Sequence, residues 1–421
     1  MCEGAEEHET DFPSSGLDIA RERIRVLTAR DIELQVSLIR ASLKVHQLSN
    51  QRVDPTKLPE SIDSYPSSYL EYAVEIGNHL CRAAIWGCDG TVSWIGSAHV
   101  SETGRWKLGP IDASLYDGTL GIGVFLAALS FVCGDRMFYD SAVGALRHSL
   151  KYVDVNPSLG LGKGLASYIY ALPLLCSFLR SEEWLCSGRN ILASLLSRMQ
   201  SADLGLDVLN GAAGVVLACS KWHQHTSDEI ALEIAGMCER KILGRLGEFY
   251  RASNNGFAHG YTGVDAALRR INCAGRPPRE RGPHYPIQHP PGKDARTFPK
   301  TWCNGAIGAA FGDLSNPTRC VEAAREFVEG EFFVDHVCCG LFGAVELLIE
   351  SSHETRNSAL MEQARNLVAR RLKADTVRWV VMLGQKEALP QPGFFQGIAG
   401  IGYSLLRLDR ASELPCILTF G

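Results

Sequence analysis

The sequence predicts an all-α protein of seven helical hairpins, with apolar inner helices backed by more charged outer ones. Two observations carry this reading. A Gly-x-x-Gly step followed by helically spaced apolar residues recurs along the 421-residue chain, and amphipathic, charged segments separate its copies. The distance between successive copies then sets the size of the unit at two helices and two connections.

The copies are DGTLGIGVFLAAL from Asp117, LGKGLASYIYAL from Leu161, NGAAGVVLAC from Asn210, HGYTGVDAAL from His259, NGAIGAAFGDL from Asn304, CGLFGAVELL from Cys339 and QGIAGIGYSLLRL from Gln396. The copy at Leu161 is looser and reads as lacking its first glycine. The marker glycines Gly121, Gly164, Gly214, Gly263, Gly308, Gly343 and Gly400 lie 35 to 57 residues apart. Between them, segments such as RNILASLLSRM and RNSALMEQARNLVARRL have the polarity of outer helices. Seven hairpins stack as an open solenoid or close into a ring, with closure favoured. In a ring the glycine turns gather at one end, and so do the residues before them: Asp117, Asn210, His259, Asn304 with Cys303, Cys339 with Cys338, and Gln396. Asp117 and Asn210 read as helix N-caps. That account does not cover Cys303, Cys338, Cys339 or His259.

Composition narrows the function. With 46% hydrophobic residues and a net charge of −5, the chain can build a large core and lacks the basic excess of a dedicated nucleic-acid binder. The N-terminal MCEGAEEHETDFPSSG has neither the basic nor the apolar region of a secretory signal. The best candidate for a membrane span, around Ala166 to Leu179, is too short and contains Pro173. A cytoplasmic protein is expected. Fourteen cysteines in a reducing compartment are not a disulfide framework. Cys133, Cys176, Cys219 and Cys238 read as small buried hydrophobes.

Cys303 and the Cys338–Cys339 pair are different, because they occupy equivalent turns of consecutive repeats. Closure would set them side by side, and three sulfur ligands suit zinc better than magnesium or calcium. A set of Cys303, Cys338 and His336 is the alternative.

These residues resemble the lanthionine synthetase C family. Its Trp-Cys-x-Gly turn is matched by Trp302-Cys303-Asn304-Gly305, and its Cys-His-Gly by Cys338-Cys339-Gly340. Its Ala-His-Gly is matched by Ala258-His259-Gly260, and its Asp-Val-x-x-Gly by Asp207-Val208-Leu209-Asn210-Gly211. The resemblance covers roughly residues 60 to 421 and implies an α/α toroid of seven inner and seven outer helices. The chain looks most like the C-terminal cyclase domain of class II (LanM-type) lanthipeptide synthetases. WIGSAHVSETGRWKLGPIDASLYDGTLGI resembles the entry to that domain and GFFQGIAGIGYSLLRLDRASELPCILTFG its end. The implied layout is a disordered tail over 1–18, a helical linker over 19–60 and the toroid over 61–421, either excised from a bacterial synthetase or standing alone. The third ligand is usually His and here is Cys339, as in a class II subgroup that processes diverse precursors.

The resemblance implies one Zn2+ per chain on Cys303, Cys338 and Cys339, and a dehydrated precursor peptide as substrate. A dehydratase domain or protein is a second expected partner. A peptide cysteine would add to the β-carbon of dehydroalanine or dehydrobutyrine, and the enolate would be protonated at Cα, forming a (methyl)lanthionine ring. His259 is the candidate for enolate stabilisation or proton delivery, and Asp207 the residue that orients it. Arg296 and Lys300 stand where the family places an arginine, and Asn304 follows the first cysteine; these three are candidate substrate or enolate contacts. The proline-rich segment from Arg269 to Lys300 cannot be a regular helix and reads as a lid, a peptide contact or a solvated loop. The alternative activity is addition of glutathione to electrophilic or dehydrated substrates at the same metal turns.

Overall fold

A helix that is apolar on every face is stable only where neighbours enclose it, and the segments after the glycine steps are of that kind. The computed structural model describes residues 14–47, 57–60, 65–100, 105–273, 300–330, 332, 334–374, 379 and 391–421. Two helices come first, α1 (Gly16–Val26) and α2 (Ala29–Gln47), followed by α3 (Leu70–Ala83). Two short antiparallel pairs follow: β1 (Ile85–Trp86) with β2 (Val92–Ser93), and β3 (Ile95–Val100) with β4 (Arg105–Pro110). The rest is helical: α4 (Thr119–Cys133), α5 (Arg136–Leu150), α6 (Leu165–Leu179), α7 (Leu185–Met199), α8 (Ala212–Thr226) and α9 (Glu229–Ala252). Then come α10 (Tyr261–Cys273), α11 (Ala306–Ala310), α12 (Pro317–Glu329), α13 (Leu341–Thr355), α14 (Ser358–Lys373) and α15 (Ile398–Arg410).

The seven inner helices are α4, α6, α8, α10, α11, α13 and α15. Each packs on the next, and α15 returns to α4, so the ring is closed and the fold is an α/α toroid. Around it α3 backs α15, α5 backs α4, α7 backs α6, α9 backs α8, α12 backs α11 and α13, and α14 backs α13. Residues 274–299, which separate α10 from α11 in the sequence and hold most of the proline-rich segment, lie outside the described residues. The segment's first residues, Arg269 to Cys273, belong to α10, contrary to the expectation of a non-helical segment, because the first proline comes only at Pro277.

Inner helices are buried almost throughout: every residue of α4 from Thr119 to Ser130 is enclosed. The same holds for nearly all of α6, which passes through Pro173 and contains the segment from Ala166 to Leu179. No described helix is long and apolar enough to cross a membrane. Outer helices show the expected stripe, as in α7, where Gly188, Ile191, Leu192, Leu195 and Met199 face inward.

The recurring glycines are explained by packing. A Cβ at Gly308 would stand 2.0 Å from the Trp302 carbonyl oxygen, and one at Gly214 would stand 1.8 Å from that of Val208. In both, the helix start rides on the carbonyl six residues earlier in its own turn. Gly308→Ala is expected to cost about 1–3 kcal/mol through overpacking, read as a lower thermal midpoint; an unchanged midpoint would refute this account of the repeat.

Several expectations need correction. Gly164 caps α6 as Gly118 caps α4 and Gly211 caps α8, so the looser copy has its first glycine and carries Ser167 in place of the second. Neither Asp117 nor Asn210 is an N-cap. The glycines hold that position, and the Asp117 carboxylate instead accepts the Gln396 backbone N–H at 2.9 Å, across the point where the ring closes. Cys133 is exposed at the end of α4, whereas Cys176, Cys219 and Cys238 are buried. The β3–β4 hairpin was not anticipated. It occupies the domain-entry segment, packs against α2, and receives the Gln391 side-chain amide at the Ser97 carbonyl, 2.6 Å away.

Candidate metal centre

The turns before the inner helices form a second, smaller ring held by backbone hydrogen bonds. Tyr116 N–H donates to Gly162 C=O (3.0 Å), Gly162 N–H to Leu209 C=O (2.8 Å), Val208 N–H to Ala258 C=O (3.0 Å) and His259 N–H to Cys303 C=O (3.2 Å). On the other side Cys338 N–H donates to Phe395 C=O (3.0 Å), and Phe395 N–H to Tyr116 C=O (2.7 Å). Among the described residues one step lacks such a bond, between the turn of Cys303 and the turn of Cys338–Cys339.

The thiols collect at that break. Cys303 and Cys338 stand two residues before the capping glycines Gly305 and Gly340, and Cys339 stands one before. The Cys303 and Cys339 sulfurs are 3.2 Å apart and those of Cys339 and Cys338 are 3.4 Å apart; all three lie within 4.8 Å of one another. Three sulfurs at about 2.3 Å from a tetrahedral zinc stand about 3.8 Å apart, so an ion fits after a small outward shift. The electrostatics agree with a site that loads by losing protons. Cys303 is held well below the usual thiol range by the Cys338 and Cys339 thiols bonded to it, and the same bonds push those two up. Binding a metal would expel their protons.

His259 lies on the neighbouring turn. Its Nδ1 is 2.8 Å from Asp207 Oδ2, and that bond raises the imidazole above its ordinary range, with the nearby Cys303 adding to the effect. The other Asp207 oxygen accepts the Asn210 N–H at 2.7 Å, which fixes the carboxylate between turn and ring. Asn304 Nδ2 donates to the Cys303 sulfur at 3.3 Å, while its Oδ1 accepts from Asn254 at 2.8 Å.

Two other sequence candidates, His336 and Lys300, are engaged elsewhere. His336 is buried, its Nδ1 accepts the Cys339 N–H at 3.3 Å, and burial lowers it to about 4; it stands outside the thiol group. Lys300 Nζ donates to the Glu326 carbonyl at the end of α12, 2.7 Å away. Arg296 is outside the described residues. Behind the Cys338 turn, the buried Asp335 carboxylate takes two 2.8 Å hydrogen bonds from Arg371 of α14, anchoring that turn to the outer ring.

Two features escaped the sequence reading. Tyr116 places its hydroxyl 3.0 Å from the Cys338 sulfur. It occupies, in the first copy, the position that Cys303 and Cys338 occupy in theirs, so alignment of the copies on their capping glycines would have found it. Below the turns, Trp302 packs on Phe257, Phe395 and Phe420 with ring centroids 5.9, 5.5 and 6.4 Å away, so the C-terminal residues plug the ring under the thiols.

The family model for lanthionine synthetase C-like protein matches residues 109–282 and 278–419. No curated protein matches. Among solved structures, one described as nisin cyclase is similar at 14% identity with a TM-score of 0.40, over 73% of this chain and 80% of that one.

Proposed function

We propose, for a chain that belongs to the lanthionine synthetase C-like family, that it is a zinc-dependent cyclase. In this reading it adds peptide cysteine thiols to dehydroalanine or dehydrobutyrine to form (methyl)lanthionine. The observation that carries this reading is the meeting of three cysteine sulfurs at the one break in the turn ring among the described residues, with the His259–Asp207 pair on the adjacent turn.

Cys303, Cys338 and Cys339 would hold the ion through three thiolates and leave a fourth position for the substrate. Zinc bound there would act as a Lewis acid that keeps a substrate thiol deprotonated at neutral pH. The chain's own residues supply the rest. Asp207 fixes the His259 ring through Nδ1, which leaves Nε2 to face the substrate, and favours the protonated imidazole. That imidazolium neutralises the enolate formed when sulfur bonds the β-carbon, and its proton passes to Cα. Asn304, bonded to the Cys303 sulfur, restrains that ligand. Arg296 remains the candidate for substrate contact, since the Lys300 ammonium is engaged by the Glu326 carbonyl.

The test is incubation of the purified protein with a pre-dehydrated, cysteine-containing peptide, counting free thiols by alkylation and mass spectrometry and measuring zinc on the same sample. Thiol loss without mass change, with about one zinc per chain, is expected. Zinc without thiol loss across several peptides, but with consumption of glutathione, would shift the assignment to the glutathione reaction. Absence of zinc would end the proposal.

A further inference from the structure

The three sulfurs are not held alike. Cys303 receives the Asn304 amide at 3.3 Å and lies 3.4 Å from the Thr301 hydroxyl. Cys339 has no donor to its sulfur among the described residues apart from the neighbouring thiols. Cys338 is contacted from the far side of the ring closure, by the hydroxyl of Tyr116, 222 positions away in sequence.

The placement of Tyr116 is built. Its ring stacks on Phe395 with centroids 4.9 Å apart and planes 7° from parallel. The Tyr116 carbonyl accepts the Phe395 N–H, and the Phe395 carbonyl in turn accepts the N–H of Cys338. Cys338 is therefore gripped twice by one stacked aromatic pair, through its backbone and through its sulfur. Phe395 also packs on Trp302, the residue before Cys303, so the same pair braces both sides of the break in the turn ring.

We infer that Tyr116 is a positioning residue for the metal centre: its hydroxyl orients the Cys338 sulfur toward the ion and withdraws charge from it. The inference rests on the metal reading above. A hydroxyl in contact with a thiolate can only donate, and a donated hydrogen bond stabilises the sulfur lone pairs. The charge of three thiolates is thereby spread, and Cys338 becomes a weaker nucleophile than the undamped Cys339. Partners of this outer kind typically set metal affinity by about 10–100-fold.

The experiment compares the full chain with Tyr116→Phe, which keeps the stacked ring and removes only the hydroxyl. Zinc affinity is measured by competition with a chelator, and the Co2+-loaded proteins are compared by absorption. The variant is expected to bind zinc roughly tenfold more weakly. Its sulfur-to-cobalt charge-transfer band is expected at lower energy, because the Cys338 lone pairs are no longer stabilised. A purely structural role for Tyr116 would not move that band. If the wild type loads while Tyr116→Phe shows the same affinity and an unmoved band, the role assigned to Tyr116 is wrong and the metal centre stands. If the wild type binds neither ion, the metal reading falls and this inference falls with it.

Discussion

Replacing Cys339 with alanine is expected to abolish zinc binding and thiol consumption together while leaving the helical rings assembled. Cys339 is the least enclosed of the three cysteines, and no backbone bond of the turn ring depends on its side chain. On the proposed ligand set its loss removes one of three ligands at a site that bridges the turns of Cys303 and Cys338. Outer-sphere partners already command about 10–100-fold in affinity, so loss of a direct ligand should exceed that range. Cys339→His is the informative companion, since imidazole is itself a zinc ligand, and it should recover much of the metal content. Zinc content is read by elemental analysis and helicity by far-ultraviolet circular dichroism. Full zinc occupancy in the alanine variant would remove Cys339 from the ligand set.

Substitution of His259 by asparagine should leave zinc content intact and lower the rate of ring formation by about 100–10,000-fold, the range that general acid–base groups supply. The pH dependence separates this from a structural effect. Hydrogen bonding to Asp207 raises the His259 imidazole above its ordinary value, so the proton-donating form persists to higher pH than in a free imidazole and is lost as pH rises through the raised value. Asp207→Asn takes the carboxylate away, and the alkaline limb of the rate profile should move to lower pH. The same linkage gives the pair a contribution to stability that is complete below about pH 6.5 and lost as pH rises through the folded value. An alkaline limb at the same pH in wild type and Asp207→Asn would disconnect His259 from the proton transfer.

Much of this site was legible because it is written in local turns. Cys303, Cys338, Cys339 and His259 each lie one or two residues before a glycine that leads into an inner helix, and glycine repetition is visible without any knowledge of long-range contacts. The asparagine and histidine neighbours of the thiols were visible too, but not their direction. Lys300 and His336 show this limit: both are close to the thiols in sequence, yet one donates to the carbonyl of Glu326 and the other accepts the N–H of Cys339. The β3–β4 hairpin was illegible for another reason. The repeat that signals helices elsewhere is absent there, and its IGSAHV and RWKLGP strands alternate too weakly to announce themselves.

The sequence by itself determined the helical repeat, the ordering of apolar inner and charged outer helices, and the placing of three cysteines and a histidine on consecutive turns. Each is a consequence of neighbours along the chain: side-chain period, and the space a glycine leaves beside a carbonyl. Tertiary structure decided how the ring closes, with α15 against α4 and Asp117 holding the N–H of Gln396. It also decided that Tyr116 reaches Cys338 and that the turn ring is broken only beside the thiols among the described residues. These contacts join the two ends of the repeat, and no period in the sequence encodes them. They exist because the last inner helix packs against the first, which brings together residues 222 and 279 positions apart.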